Sequence, residues 1–283
     1  MARGSGIGRA KRMQSVLAHG VAVLFALFSL LPLVWLVITS FKTEAEIVTR
    51  TLTFWPESFH FDNYRAVWAQ SDFPRLMWNS LVTTTYTIAI CAVAGTLAAY
   101  SFSRFRFRGR RELMLFYIAI RMFPAVLIII PLFLVLRNVG LLDTRLGLAL
   151  AYASFLLPLF VWMMKGFFDT VPPDLDKAAR IDGCTRLGAM LLVVAPLVRG
   201  GLGACCVFVA IGAWNEYLFA LMLTSSSGSR TWPVGLQLMV GEFQLPWGPL
   251  AASGVISIIP VIVLFAIVQR AMVRGLTVGA VKG

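Results

Sequence analysis

Six long apolar runs dominate this sequence and constrain what it can fold into. They cover residues 16–41, 79–103, 113–136, 146–164, 200–224 and 249–268. An α-helix needs about 20 apolar residues to cross a bilayer, and inside lipid only helices and closed barrels satisfy their backbone hydrogen bonds. Because strand patterns are scarce, the sequence predicts an all-α integral membrane protein with six transmembrane helices.

Composition indicates the same class. Hydrophobic residues make up 59% of the chain, charged residues only 13%, and the mean hydropathy is +0.81. Soluble domains are about half apolar and about a quarter charged. The first run follows Arg9, Lys11 and Arg12, as in a signal peptide. It is too long for one, however, and lacks a small-residue cleavage pattern, so we expect an uncleaved first span.

The distribution of Lys and Arg predicts the orientation. Most of the 25 basic residues precede the first run, follow the second or fourth run, or follow the sixth. Basic loops stay on the cytoplasmic side, so we expect a multi-pass membrane protein with both termini in the cytoplasm. The net charge of +12 then reflects topology and not nucleic-acid binding. The basic segment 104–111 is expected to touch anionic lipid.

The predicted organisation has three parts. Residues 1–15 form a cytoplasmic N-terminal segment, residues 16–271 form the transmembrane domain, and residues 272–283 form a cytoplasmic tail. Within the transmembrane domain, residues 165–198 are expected to form a cytoplasmic loop.

Motifs that carry catalysis are missing from the sequence. It has no GxxxxGK[ST] phosphate loop, no HExxH and no GxSxG pattern, and its two histidines, His19 and His60, lie far apart. Without a nucleophile–base set, we expect a chain that is not an enzyme and that has no metal site and no cofactor of its own.

Ionisable residues at membrane depth are rare and often functional. Arg121 and Glu216 lie inside apolar runs, Pro124 permits a kink near Arg121, and Asn215 precedes Glu216. These four residues predict a translocation path. The alternatives are a structural hydrogen bond between helices for Glu216, snorkelling of Arg121 to the interface, and simple packing adjustment at the proline.

A polar helical pattern lies between the fourth and fifth runs, in VPPDLDKAARIDG at 171–183. Pro172 and Pro173 suit a helix start, two aspartates follow where the helix dipole favours negative charge, and Gly183 suits a left-handed C-terminal cap. A protein that only spans the membrane has no need of such a helix. The pattern therefore predicts a docking helix for a soluble partner, and an interfacial helix lying on lipid is the alternative.

Side-chain spacing within this helix predicts its faces. Ala178 and Ala179 are small enough for a partner surface to approach closely, and they share a stripe with Leu175 and Asp182. Asp176 and Arg180 are spaced as an i,i+4 pair on the solvent side. The residues that we assign to docking are Asp174, Lys177, Ala178, Ala179, Arg180, Asp182 and Gly183.

The segment KAARIDG at 177–183, followed by Ala195 and Pro196, resembles the EAA loop of binding-protein-dependent ABC importer permeases. The stretches at 79–110, 122–144, 213–224 and 269–283 are similar to the carbohydrate branch of that family, the maltose-G-like permeases. The similarity extends from about residue 16 to the last residue.

The resemblance implies a type I ABC importer permease fold and a non-catalytic subunit of an ATP-driven importer that works by alternating access. It also implies a multi-pass protein of a prokaryotic cytoplasmic (inner) membrane. It implies a second homologous permease, a dimeric cytoplasmic ATPase that carries ATP and Mg²⁺, and an external or lipoprotein substrate-binding protein. The EAA-like segment would be the coupling helix, and the tail at 275–283 would approach the ATPase dimer. The external loops at 42–76 and 225–248 would meet the binding protein. The substrate would be a sugar or a glycerol-phosphate-type solute.

The sequence departs from the family at three positions. Lys177 stands where Glu is usual, Ala195 replaces a usual leucine, and Arg199 stands where an apolar residue or proline is common. These departures bear on the choice of ATPase and not on the class. The competing class is a secondary transporter or channel that couples to ions through Glu216 and Arg121, and a purely structural membrane anchor is the third.

Overall fold

The computed structural model describes residues 5–49, 51, 53–69, 72–240 and 245–280, and for residues 5–12 and 267–280 the backbone only. The predicted N-terminal segment and tail therefore lie partly outside the described residues. Within the described ranges the chain is helical and has no strand. Its elements are α1 (Ser5–Ser40), α2 (Glu44–Ile47), α3 (Asp62–Ala69), α4 (Phe73–Ile90), a π-helical turn (Cys91–Gly95), α5 (Thr96–Arg104), α6 (Arg110–Ala119), a 3₁₀ turn (Ile120–Met122), α7 (Ala125–Asn138), α8 (Arg145–Asp169), α9 (Asp174–Ile181), α10 (Arg186–Gly188), a second π-helical turn (Ala189–Val194), α11 (Ala195–Leu197), α12 (Arg199–Trp214), α13 (Leu218–Leu223), α14 (Trp232–Leu238) and α15 (Trp247–Ala280).

Several of these helices are long and apolar enough to cross a membrane. The four that qualify alone are Met13–Ser40, Phe73–Arg104, Arg145–Asp169 and Trp247–Ala266. Two further pairs qualify only together, and each is bent: Arg110–Met122 with Ala125–Asn138 by 99°, and Arg186–Leu197 with Arg199–Trp214 by 84°. The described residues thus supply four spans, or up to six if each bent pair counts as one. The all-helical membrane class is confirmed.

The first bend falls where the sequence predicts a kink. Pro124 has no amide hydrogen, and its ψ of 127° lies outside the helical range, so the helix stops there and α7 begins at Ala125. Pro131 lies inside α7, and the helix continues through it. The second bend falls at Val198, whose φ and ψ are −105° and 15°, two residues after Pro196.

The sequence predicted a single span for the fifth run, and the structure instead has two helices there. α12 ends at Trp214, the chain turns at Asn215–Tyr217, and α13 is a separate short helix. Upstream, much of the predicted cytoplasmic loop 165–198 is also helical, because α9 and the Arg186–Leu197 helix both lie in it. An apolar run reports hydropathy alone, and it does not report where a polar side chain caps a helix.

The chain divides into two compact units, of which the first comprises Met1–Ser71 and Met239–Ile256. In this unit the end of α1 is tied to α3, since Ser40 Oγ lies 2.7 Å from Tyr64 Oη and Asn63 Nδ2 donates to the carbonyl oxygens of Ser40 and Lys42. The Glu44 carboxylate accepts hydrogen bonds from the amides of Trp247 and Gly248. A carboxylate at this position neutralises the positive end of the α15 dipole.

The second unit comprises Asp72–Leu238 and Ser257–Gly283, and α8 is its central helix. The side chains of Tyr152, Phe160 and Phe168 on α8 are almost fully buried. A Cβ at Gly95 would lie 2.3 Å from the Phe160 ring, so the absence of a side chain at Gly95 lets the π-helical turn pack directly on α8. Small residues at helix contacts allow this close approach in membrane proteins.

Candidate coupling site

The polar segment at 171–183 forms the helix that its sequence predicts. α9 runs from Asp174 to Ile181, and Pro173 flanks its first turn. The first amides of a helix have no intrahelical acceptor, so a proline at this point loses no hydrogen bond. Asp174 and Asp176 both lie in the first turn, where negative charge is favoured.

The C-terminal cap of α9 also lies where the sequence places it. Gly183 has a φ of +93°, its amide donates to the Arg180 carbonyl oxygen at 3.2 Å, and the Cys184 amide donates to the Ala179 carbonyl oxygen at 3.0 Å. This pair of hydrogen bonds is the Schellman arrangement. A left-handed residue therefore ends α9 and turns the chain sharply into the Arg186–Leu197 helix.

The predicted solvent-side pair of Asp176 and Arg180 is wrong. Arg180 is exposed, but Asp176 points into the protein and is only 9% exposed. Its carboxylate accepts one hydrogen bond from Arg104 Nε at 2.7 Å and another from the Tyr100 hydroxyl. The i,i+4 spacing predicted a partner for Asp176 on its own helix. In the structure, Arg104 and Tyr100 of α5 donate two hydrogen bonds to it instead, away from water.

Arg104 is therefore a residue of the site that the sequence did not reveal. Its side chain is 9% exposed and that of Asp176 is 12% exposed, and its second guanidinium nitrogen donates to the Val171 carbonyl oxygen at 2.9 Å. Arg104 thus holds both α9 and the segment that leads into it. Five arginines stand between 104 and 111, and nothing in that run marks the first of them as buried.

The outward face of α9 differs from the predicted stripe. Ala178 and Asp182 are exposed as expected, but Ala179 is buried within this chain and cannot meet a partner. Ile181, which we did not assign to docking, is 86% exposed. The exposed face therefore combines a small residue with a large apolar one, which suits docking against a protein surface.

Lys177 has a local partner that its position in the motif does not suggest. Its Nζ lies 2.8 Å from Oδ1 of Asp174, one turn earlier, and both side chains are exposed. The hydrogen bond and positive charge of Lys177 lower the pKa of the Asp174 carboxyl. A glutamate at 177, which the family usually has, would instead face a like charge. Lys177 and Asp174 thus form a matched pair on the outward face.

Two of the predicted translocation residues lie at the first bend. Arg121 occupies the 3₁₀ turn that ends the first half of the bent pair, and Pro124 begins the second half. The Arg121 guanidinium carbon lies 5.3 Å from the centre of the Phe155 ring, a distance at which an aromatic face attracts a cation.

The other two translocation residues cap helices. Asn215 Nδ2 donates to the Ile211 carbonyl oxygen at 2.9 Å and closes α12. The Glu216 carboxylate accepts from the amides of Phe219 and Ala220 at 2.9 and 3.1 Å, so it satisfies the free donors at the start of α13. The structural alternative for Glu216 is therefore present: its carboxylate caps a helix of its own segment, and the Tyr152 hydroxyl of α8 donates to its carbonyl oxygen at 3.5 Å.

Phe155 of α8 brings the two pairs into one neighbourhood. Its ring contacts Arg121 on one side and lies 6.0 Å from the Phe219 ring, centre to centre. Among the described residues, no ion pair joins Arg121 to Glu216.

The sequence did not predict a set of hydrogen bonds that holds the 225–230 loop, which we call the tether. Asp143 has a φ of +57°, and its Oδ1 accepts from the Ser225 and Ser226 amides at 2.8 and 3.1 Å and from the Ser229 hydroxyl. Burial alone would raise the pKa of the Asp143 carboxyl, but these hydrogen bonds outweigh it and hold the pKa well below its usual range. Asn79 of α4 donates to two carbonyl oxygens of the same loop, those of Ser227 and Arg230.

Within the described part of the chain, no group of three or more His, Cys, Asp or Glu side chains could hold a metal ion. The described residues instead form a short polar helix, two bent pairs of helices and a tethered loop.

The sequence matches a known protein family. Residues 91–278, more than half of the chain, match the family of binding-protein-dependent transport system inner membrane components. The chain belongs to this family. The resemblance drawn from the KAARIDG segment is thereby confirmed, and the chain is the membrane permease component of such a transport system.

Three relatives that are named as permeases match this chain along almost their whole length. The trehalose transport system permease protein SugB of Mycobacterium tuberculosis is 39% identical, over 90% of this chain and 93% of that protein. The sulfoquinovosyl glycerol permease protein SmoH of Agrobacterium fabrum is 37% identical, over 90% and 89%. The trehalose/maltose permease protein MalG of Thermococcus litoralis is 33% identical, over 93% and 95%. All three are named as permease proteins, in agreement with a non-catalytic subunit.

Solved structures support the fold. The crystal structure of a bacterial ABC transporter involved in the import of the acidic polysaccharide alginate contains a chain that is 25% identical, with a TM-score of 0.79 over 93% of this permease and 97% of that chain. A bacterial alginate ABC transporter in complex with a pentasaccharide-bound periplasmic protein matches with a TM-score of 0.68 over 93% of both chains. At 13% identity that second likeness shows the fold alone. The permease thus has the ABC importer permease fold.

Proposed function

We propose that this permease is one of two homologous transmembrane subunits of an ATP-driven importer for a sugar or sugar-like solute. In this proposal it has six spans, both bent pairs counting as one span each, and both termini lie in the cytoplasm of a prokaryote. An external binding protein delivers the substrate to the loops that include residues 225–230. A dimeric cytoplasmic ATPase, which carries ATP and Mg²⁺, docks on α9.

The single observation that carries the proposal is the form of α9. It is a two-turn polar helix that is fixed to its own chain through Asp176 and exposes Ala178 and Ile181 on the other side. A helix lying on lipid would present a broad apolar face to the bilayer. On α9 the exposed apolar residues are Leu175, Ala178 and Ile181, and they alternate with exposed charged side chains. A helix held from behind by a buried ion pair, with so small an apolar stripe, suits insertion into a protein cleft.

The proposed mechanism is alternating access. ATP binding closes the ATPase dimer and moves α9, and α9 moves the end of α5 because Arg104 joins them. The bends at Pro124 and Val198 allow the two halves of each broken span to turn against each other. Hydrolysis returns the spans to the inward-facing state.

The substrate class rests on the relatives, which are named for trehalose, trehalose/maltose and sulfoquinovosyl glycerol transport. A glycerol-phosphate-type solute is the second substrate class of the proposal. Much of the selectivity is expected to lie in the binding protein.

The first experiment is purification of the tagged chain in mild detergent, with mass spectrometry of the proteins that accompany it. Co-purification of a second six-span permease and an ABC ATPase supports the proposal. A lone chain or homodimer that transports without an ATPase would instead support an ion-coupled carrier.

Glu216 gives a direct test of that competing class. A carrier that uses Glu216 for proton coupling would lose its gradient dependence in Glu216→Gln. We expect Glu216→Gln to leave ATP-dependent uptake in place, because its single side-chain oxygen still accepts one of the two hydrogen bonds that Oε1 and Oε2 of Glu216 accept from the Phe219 and Ala220 amides.

A further inference from the structure

A groove of about 530 Å³ is lined by residues of α5, α6 and α8. Phe102, Leu115 and Trp162 contribute an apolar wall, and Arg110 and Arg111 lie at the same groove. Sites for small ligands generally have volumes of about 300–1,000 Å³. The groove is therefore large enough for a phosphate-bearing headgroup together with the glycerol and first methylenes attached to it.

The charges around the groove are unequal. Lys165 also lines it, but Lys165 Nζ lies 2.5 Å from the Asp169 carboxylate, so its charge is already matched. Glu112 contributes one negative charge. Arg111 is exposed, and it forms no ion pair among the described residues. The two arginines thus leave the groove with a net positive charge and a guanidinium free to bind an anion.

We infer that this groove binds the headgroup of an anionic phospholipid. Guanidinium groups bind phosphate oxygens through paired hydrogen bonds, and basic pockets between transmembrane helices on the cytoplasmic side recognise lipid headgroups. Trp162 is 54% exposed, and tryptophan is enriched at the depth where headgroup meets hydrocarbon. A free phosphate ion would use the arginines but would leave the apolar wall unoccupied.

The inference rests on the proposed orientation, in which α6 begins at the cytoplasmic surface. It adds a lipid contact that no part of the transport cycle requires. The groove also lies beside Ser103 and Arg104, the last residues of α5, so a bound headgroup would stand next to the anchor of α9.

The test measures lipid retained by the purified complex. The complex, with its partner permease and ATPase, is exchanged into detergent that contains equal amounts of phosphatidylglycerol and phosphatidylcholine, and bound lipid is quantified by mass spectrometry. We expect the wild type to retain phosphatidylglycerol selectively. Arg111→Gln should lower its apparent affinity about fivefold, and Arg110→Gln with Arg111→Gln should lower it about twenty-five-fold, from the typical contribution of one basic residue near an anionic surface.

Arg106 and Arg108 provide a matched control, since they belong to the same basic segment, are exposed and do not line the groove. Arg106→Gln with Arg108→Gln removes the same charge and should lower retention less than twofold. Equal losses from the two double variants would overturn the inference and leave only diffuse attraction by the segment.

Two further measurements identify the ligand. Millimolar inorganic phosphate should not displace the lipid, and displacement by phosphate alone would assign the groove to a free anion. Trp162→Ala should weaken phosphatidylglycerol binding without changing its preference over phosphatidylcholine, and no effect would remove the apolar wall from the site. None of these measurements uses ATP or substrate, so their failure is distinct from failure of the transport assignment.

Discussion

Gly183 is the residue on which the shape of α9, the proposed coupling helix, depends most directly. Its φ of +93° is unfavourable for residues that carry a Cβ, although a Cβ there would meet no other atom within 4 Å. Gly183→Pro fixes φ near −65° and removes the amide that donates to Arg180. We expect it to abolish ATP-coupled uptake while the chain still inserts into the membrane.

A series of substitutions at Gly183 separates the effect of backbone strain from the effect of side-chain size. Gly183→Ala should cost about 1–2 kcal/mol of local stability, and Gly183→Asn should cost less because Asn tolerates positive φ. Gly166, a helical glycine of α8 with open space around its Cβ, is the control, and Gly166→Ala should be neutral or mildly stabilising. Normal substrate-stimulated ATPase activity in Gly183→Pro would remove the coupling assignment.

Asp143 is the corresponding residue for the tethered loop, which we propose to lie outside. Replacing it with Ala removes three hydrogen bonds and keeps the unfavourable backbone, so we expect a loss of about 2–3 kcal/mol from the tether. Asp143→Asn keeps an acceptor and tolerates positive φ, and should lose about 1 kcal/mol. Limited proteolysis of the 225–230 loop, compared with the melting temperature, measures the effect. Equal proteolysis of all three proteins would show that the tether does not order the loop.

The pH dependence of the tether follows from its carboxylate. Because the folded-state pKa of Asp143 is lowered, its stabilising effect is present above the unfolded pKa, near 3.9, and is lost as pH falls through the folded value. The difference in melting temperature between wild type and Asp143→Asn should therefore stay constant from pH 7 to pH 5. A difference that shrinks across this range would contradict the lowered pKa.

At the scale of the element, α9 and α5 are joined by the buried pair of Arg104 and Asp176. Removing one partner of a buried pair leaves the other charge unpaired and typically costs about 3–5 kcal/mol. We therefore expect Arg104→Gln and Asp176→Asn each to lower stability by about 3 kcal/mol, and the double variant to lose less than the sum. Thermal unfolding of the detergent-solubilised complex measures stability, and the ratio of substrate-stimulated to basal ATPase activity measures coupling.

The exposed pair of Lys177 and Asp174 is the natural control for that experiment. Exposed ion pairs contribute little to stability, so Lys177→Gln should leave unfolding nearly unchanged and alter only binding to the ATPase. Additive losses from Arg104→Gln and Asp176→Asn would show that the two side chains do not act together.

Sequence patterns predicted the elements well where hydropathy or a single residue decides them. The apolar runs, the start of α9 at the prolines, its end at Gly183 and the break at Pro124 all follow from local chemistry. The burial of Asp176 and Ala179 did not, because a helical pattern does not say which face meets the rest of the chain. Arg104 is 72 residues from its partner, and one of five arginines within 104–111 cannot be singled out without the fold.

At the scale of the whole molecule, the orientation of the spans remains a prediction that the chain's own Cys184 can test. Cys184 follows the coupling helix and is half-buried. A membrane-impermeant maleimide should label it in inverted vesicles and not in intact cells. Ser225→Cys, in a Cys184→Ser background, should show the opposite pattern because the tethered loop is expected outside. Reversed labelling of both sites would invert the topology.

One further consequence follows from the 32-residue helix Phe73–Arg104. At 1.5 Å per residue it is about 48 Å long. Near one end Asn79 holds the 225–230 loop through two carbonyl oxygens, and at the other end Arg104 holds α9. A displacement of the loop or of α9 must therefore be shared with the other or absorbed at the π-helical turn between them. In the proposed orientation, the stiffness of the π-helical turn, Cys91–Gly95, would then set how much of a displacement outside the membrane reaches the inside.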